Sequence, residues 1–223
     1  MRFTALLMAP LVIVLVSVAP LSWGAGPSTS AATTQSAASA GTHPAESAID
    51  AAQRYVAIAK DRRPREAIAE FLDIDQHLRR MFGEDFDKCS EADKQQMRLL
   101  LQSLFDTMYS DPHLIDAMAA ARYENFRELT PHNPGDTDLK IVAFDAVLGE
   151  QRTTNRLFLR PIDGRWRIVD LSGGGASVAI ATRAQYMPQR DHVTPLQFIR
   201  ELARPALEPL APASTTKPAA NNH

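Results

Sequence analysis

TTNRLFLRPIDGRWRIVDL, residues 153–171, decides the fold. Asp163-Gly164 between two apolar runs is the strongest short-range signal for a β-hairpin, so 153–162 and 165–171 are expected to be antiparallel neighbours. Successive side chains of a strand point to opposite faces. Leu157 and Leu159 therefore share a face, as do Trp166 and Ile168, while Arg165 and Arg167 point the other way. One face of this hairpin is buried. Immediately upstream, 122–129 and 139–148 show the same period of two, which brings the sheet to about four strands.

Outward from the sheet the period changes. Gly173-Gly174-Gly175 ends the strand pattern, and 176–187 and 195–203 return to helical spacing. A glycine triplet could suggest a phosphate cradle, but the Lys and Ser/Thr that such a loop requires are absent, so a plain hinge is the favoured reading. On the N-terminal side Ile49, Ala52, Val56 and Ala59 mark a first helix over 46–60. Pro64 opens a short second helix through Phe71 and Leu72, and a third over 74–82 stops at Gly83. Ser90 caps a long helix whose stripe is Met97, Leu100, Leu101, Leu104, Phe105 and Met108, and which ends near Asp111-Pro112. Helices, then an antiparallel sheet, then closing helices make an α+β fold.

The two ends read differently. Residues 1–24 have the layout of a secretory signal peptide: Arg2, a largely apolar run from Ala5 to Val18, breaks at Pro10 and Pro20, and the small-residue close Ser22-Trp23-Gly24. A periplasmic location, with cleavage near Gly24, is expected. Residues 25–45 are nearly all Ala, Ser, Thr, Gly and Pro and read as a disordered linker, and 204–223 as a Pro/Ala-rich tail. That leaves 46–203 as one folded domain. Cys89 is the single cysteine, so no internal disulfide is available and an apolar core must carry stability. With 26 acidic against 24 basic residues the chain lacks the basic excess of a nucleic-acid binder.

Constellations with catalytic or metal-binding spacing are not found, so neither a metal nor a cofactor is expected. The histidines (His43, His77, His113, His132, His192 and His223) are scattered. Asp73 and Asp75 are two apart on a helix and do not face each other, which favours caps or surface charges. Cys89 lies at a helix entrance, where a thiolate is favoured, yet no histidine is near in sequence to activate it, and a passive thiol is the simpler reading. Apolar and aromatic residues are abundant; they could make an ordinary core or wall a ligand cavity.

Two longer runs carry a resemblance. FLDIDQHLRRMFGEDFDKCSEADKQQMRLLLQSLFDTMY (residues 71–109) has an aspartate-rich turn leading to a helix, a glycine, an aromatic, and a long helix ending in tyrosine. DGRWRIVDLSGGGASVAIATRAQY (residues 163–186) has a Gly-Arg-Trp hairpin, a valine-aspartate strand, a glycine turn, and a helix carrying arginine and an aromatic. In order and spacing these resemble MlaC, the toluene-tolerance auxiliary family of periplasmic phospholipid-binding proteins, from about Glu46 to Ala203. The resemblance implies a nuclear-transport-factor-two-like cone and a monomeric shuttle that carries phospholipid between membranes without breaking a bond. It implies as partners an inner-membrane ABC transporter with its MCE-domain component and an outer-membrane lipoprotein complex. The cavity is expected to be lined by Phe105, Tyr109, Phe144, Trp166, Ile168 and Tyr186. A hopanoid-associated branch shares the signatures. Two other classes compete: a cone-fold isomerase or dehydratase using Asp145 or Asp170 as its acid, and an interaction domain with a filled core.

Overall fold

The computed structural model describes residues 44–130 and 136–207. The signal segment, nearly all of the linker, most of the tail, and His43, His132 and His223 lie outside the described residues.

A capping side chain or a first-turn proline marks the start of most N-terminal helices. Helix α1 (Ala48–Lys60) starts with a reciprocal capping box between Ser47 and Asp50. It buries Ala48, Ala51, Ala52 and Ala59 beside Tyr55 and Val56, small residues that let its backbone lie close to its neighbours. Helix α2 (Pro64–Phe71) opens on proline, and α3 (Ile74–Phe82) opens on Asp73, whose carboxylate accepts the Gln76 N–H at 2.9 Å. A single turn, α4 (Glu84–Asp87), follows Gly83 and seats Phe86 in the core. Helix α5 (Glu91–Met108) is capped by Ser90 and buries Met97, Leu101, Leu104 and Phe105.

A further helix, α6 (Pro112–Ala120), stands where the sequence reading has none. Asp111-Pro112 does end α5, but the same dipeptide starts α6. The Asp111 carboxylate accepts the His113 N–H at 2.8 Å, and proline suits a first turn because the N–H it lacks has no helical partner there.

The sheet is an antiparallel meander in chain order, β1 (Arg122–Leu129), β2 (Lys140–Leu148), β3 (Gln151–Ile162), β4 (Arg165–Gly173) and the two-residue β5 (Ala176–Ser177). Asp163 and Gly164 both take positive φ, 50° and 71°, as a two-residue hairpin turn requires. The glycine triplet is a second hairpin rather than a hinge: Gly173 pairs with Ala176, and Gly174 and Gly175 make the turn. Helix α7 (Val178–Tyr186) therefore begins two residues later than expected, capped by Ser177. A 3-10 turn (Met187–Gln189) and helix α8 (Pro195–Leu207), which runs past Ala203, complete the described chain.

Val142, Phe144, Leu157, Leu159, Trp166 and Ile168 form the apolar inner face of the sheet, and the helices cover it. In β4 the register slips by one residue: Leu159 pairs with Ile168, but Phe158 pairs with Asp170. Val169 is the extra residue of a β-bulge, so inward-facing positions move from Trp166 and Ile168 to Leu171. The outer edge of β4 is covered by the α2–α3 connection, where Leu72 bridges Ile168 and the Asp73 N–H donates to the Ile168 carbonyl at 2.9 Å. The result is α+β, helices packed on a curved, open antiparallel sheet.

Candidate functional site

An apolar cavity lies between α1, α6, the end of α5 and the inner face of the sheet. Tyr55, Val56 and Ala59 of α1 form one wall, Met108, Tyr109, Leu114 and Met118 another, and the sheet contributes Phe144, Leu157 and Leu171. Its volume is about 50 Å³. Pockets that hold small molecules run to about 300–1,000 Å³, so one acyl chain does not fit unless a wall moves.

Polar atoms in this wall are few and specific. Burial pushes the Tyr55 hydroxyl pKa well up, and the neighbouring Tyr109 adds to the effect. Tyr123 is pushed up to about 12, chiefly by burial, and donates to the Met118 carbonyl at 3.2 Å. All three hydroxyls stay protonated at neutral pH. Asn155 is 4% exposed, and its Nδ2 donates to the Thr153 carbonyl at 3.2 Å. Its Oδ1 has no hydrogen-bond partner among the described residues, nor has Ser172 Oγ, from a residue in the same wall. A buried acceptor left in this condition costs about 1–3 kcal/mol.

Of the six residues expected to line a lipid cavity, the structure brings together Tyr109 and Phe144. Phe105 stacks on Tyr109 at 6.3 Å but borders a separate surface groove. Trp166 is in the core, with its indole N–H donating to the Glu46 carbonyl at 2.8 Å. Ile168 is fully buried, and its backbone is bridged by Leu72 along the β4 edge. Tyr186 packs edge-on between Phe82 and Phe198, and its hydroxyl donates to Asp85 at 3.3 Å. Tyr55, Tyr123 and Asn155 line the cavity but lie outside that expected set. Only Asn155 carried a sequence signal: it shares the parity of Leu157 and Leu159 and is polar on an otherwise apolar face.

The groove beside Phe105 is larger, about 540 Å³, but open to solvent and lined by charges that satisfy one another. Arg65 pairs with Asp106 at 3.5 Å, Arg79 with Asp87 at 3.0 Å, and Asp75 is held by Arg98, while Arg167 donates to the Glu70 and Leu72 carbonyls. Asp73 is a helix cap. The two aspartates thus have separate structural jobs.

Both candidate catalytic acids lie away from the cavity. Asp145 alternates with Phe144 and so points to the opposite face, where Asn125, Thr154 and Arg152 bond it at 2.8–3.0 Å. These bonds, Asn125's first, hold its carboxyl below the usual range. Asp170 is fully buried and accepts from the Leu171 and Ala179 N–H groups at 2.8 and 3.1 Å, from Ser177 Oγ, and from Arg80 at 3.4 Å. It anchors the start of α7. His77, also fully buried, sets Nδ1 3.1 Å from the Val169 carbonyl and 3.9 Å from Asp170. Burial lowers its pKa, against the pull of Asp170. The Cys89 thiol donates to the Asp85 carbonyl at 3.2 Å, and burial raises its pKa, the opposite of an activated thiol.

Comparison by sequence finds neither a protein family nor a curated protein that matches the chain. Comparison by structure does find a likeness. A phospholipid-binding protein from Ralstonia solanacearum, solved in complex with a phospholipid, superposes with a TM-score of 0.53 at 12% identity, covering 71% of this chain and 96% of that one. At that identity the likeness is one of fold.

Proposed function

We propose that the chain is a lipid-binding carrier which holds an acyl chain between α1, α6 and the sheet and releases it without chemistry. The apolar cavity carries this reading. Its walls are mostly hydrocarbon and aromatic, it lies against the inner face of the sheet, and each methylene transferred into such a site contributes about 0.8 kcal/mol. The fold likeness to a phospholipid-binding protein supports the same reading. So does its resemblance to MlaC, which further suggests an exported shuttle in an ABC-type intermembrane lipid transport system, partnered at both membranes.

Holding an acyl chain requires the cavity to grow several-fold. Helix α6 is the wall suited to move, because Met118 is the one residue it buries. The small volume also favours a second reading, an interaction domain with a filled core and no ligand. Native mass spectrometry of the chain purified from a periplasmic extract, with lipid analysis of the same sample, separates them. A stoichiometric phospholipid supports the carrier; an empty protein that also takes up nothing from vesicles overturns it and leaves the interaction domain.

A further inference from the structure

The inner face of β3 presents Asn155, Leu157 and Leu159 in succession, and Asn155 stands directly across from Phe144 of β2. One of its Nδ2 hydrogens goes to the Thr153 carbonyl, and its unmet group is Oδ1, an acceptor without a partner among the described residues. A leucine would fill a similar space in this wall without that unmet demand. The chemistry of Oδ1 narrows what can satisfy it. Phosphate or carboxylate oxygens would meet the negative end of its carbonyl dipole and are disfavoured. A cation would need a counter-charge, and no Asp or Glu stands among the described residues lining the cavity. A neutral donor remains, and the hydroxyls of Tyr55 and Tyr109 in the same wall can share a network with it.

We propose that Asn155 is a recognition point for a neutral hydroxyl carried by the lipid, so that the cargo is a hydroxyl-bearing lipid in preference to one whose buried portion is hydrocarbon alone. This rests on the carrier reading and specifies its cargo. The test uses the purified full chain and phosphatidylglycerol vesicles doped with radiolabelled 1-hexadecanol or with hexadecyl methyl ether, which keeps the oxygen and lacks the donor. The alcohol is expected to be extracted about tenfold better than the ether, the effect of one buried hydrogen bond gained. Asn155→Leu is expected to bring the ratio to about one while ether uptake persists. Equal uptake of the two probes by the native chain means that Oδ1 keeps a water and overturns the proposal with the carrier reading intact, as does a preference that survives Asn155→Leu. Failure to extract either probe or any phospholipid overturns both together. The native-chain comparison decides even if the variant does not fold.

Discussion

Arg98 on α5 clasps both carboxylate oxygens of Asp75 on α3, Nε to Oδ1 at 2.5 Å and Nη2 to Oδ2 at 2.9 Å. A two-pronged pair of this kind fixes the relative orientation of two helices as well as their distance. The Arg98 hydrogen bonds hold the Asp75 carboxyl below its ordinary value of 3.8. Its stabilisation is therefore complete above that value and disappears as pH falls through the lower folded-state one. Urea denaturation between pH 5 and 2.5 is expected to show a loss in the native chain that Asp75→Asn flattens. At pH 7 the variant is expected to cost no more than about 1 kcal/mol, because the carboxylate is over a third exposed.

His77 gives the domain a second, milder acid sensitivity. Burial holds its folded pKa below the ordinary 6.5, so the unfolded chain takes up the proton first as pH drops. Stability is full above pH 6.5 and declines below it until the folded value is reached. His77→Gln is expected to be less stable at pH 7 by about 1–3 kcal/mol, since it disturbs a fully buried site, and to lose this slope between pH 6.5 and 5. Paired urea titrations across that range check it; an unchanged slope would sink the assignment.

Filling the cavity separates binding from folding. Ala59→Leu places three carbons from α1 into a space of about 50 Å³. The melting temperature is expected to stay within the shift caused by about 1–2 kcal/mol, while extraction of fluorescent phospholipid from vesicles falls at least fivefold. Normal extraction by a well-folded variant would move the binding site elsewhere.

Helix α6 should open before its neighbours. It buries Met118 alone, against four buried residues on α5, and its exposed Asp116–Arg62 pair at 2.9 Å adds little. Hydrogen exchange read by mass spectrometry is expected to show amides of 112–120 exchanging at least tenfold faster than those of 97–105. Equal protection would mean that the cavity widens by some other route.

The sheet was legible because its signals are local. Asp163-Gly164 fixes one hairpin, and the parity of Leu157, Leu159, Trp166 and Ile168 fixes which face is buried, without knowledge of distant residues. Helix α6 was missed because Asp111-Pro112 serves as both a stop and a start, and proline spacing alone does not say which follows. The cavity was harder still. Tyr109 and Phe144 reach it while Trp166, Ile168 and Tyr186 do not, although all five look alike as large apolar residues on inner faces. What divides them is where α1 and α6 meet the sheet, a tertiary relation with no sequence period. Asn155 is the exception, a polar residue at an inward position whose parity with Leu157 and Leu159 marks it as out of character with its face.

The bulge at Val169 makes β4 a strand read in two frames. Up to Ile168 the even-numbered residues face inward, and after the bulge it is Leu171 that does. Without the shift Asp170 would follow Trp166 and Ile168 into the apolar interior, setting a charge beside the oily walls. With it the carboxylate turns to the opposite face, where Arg80 and the start of α7 receive it, and Leu171 takes the inward place. One inserted residue thus keeps a fully buried carboxyl group out of the cavity.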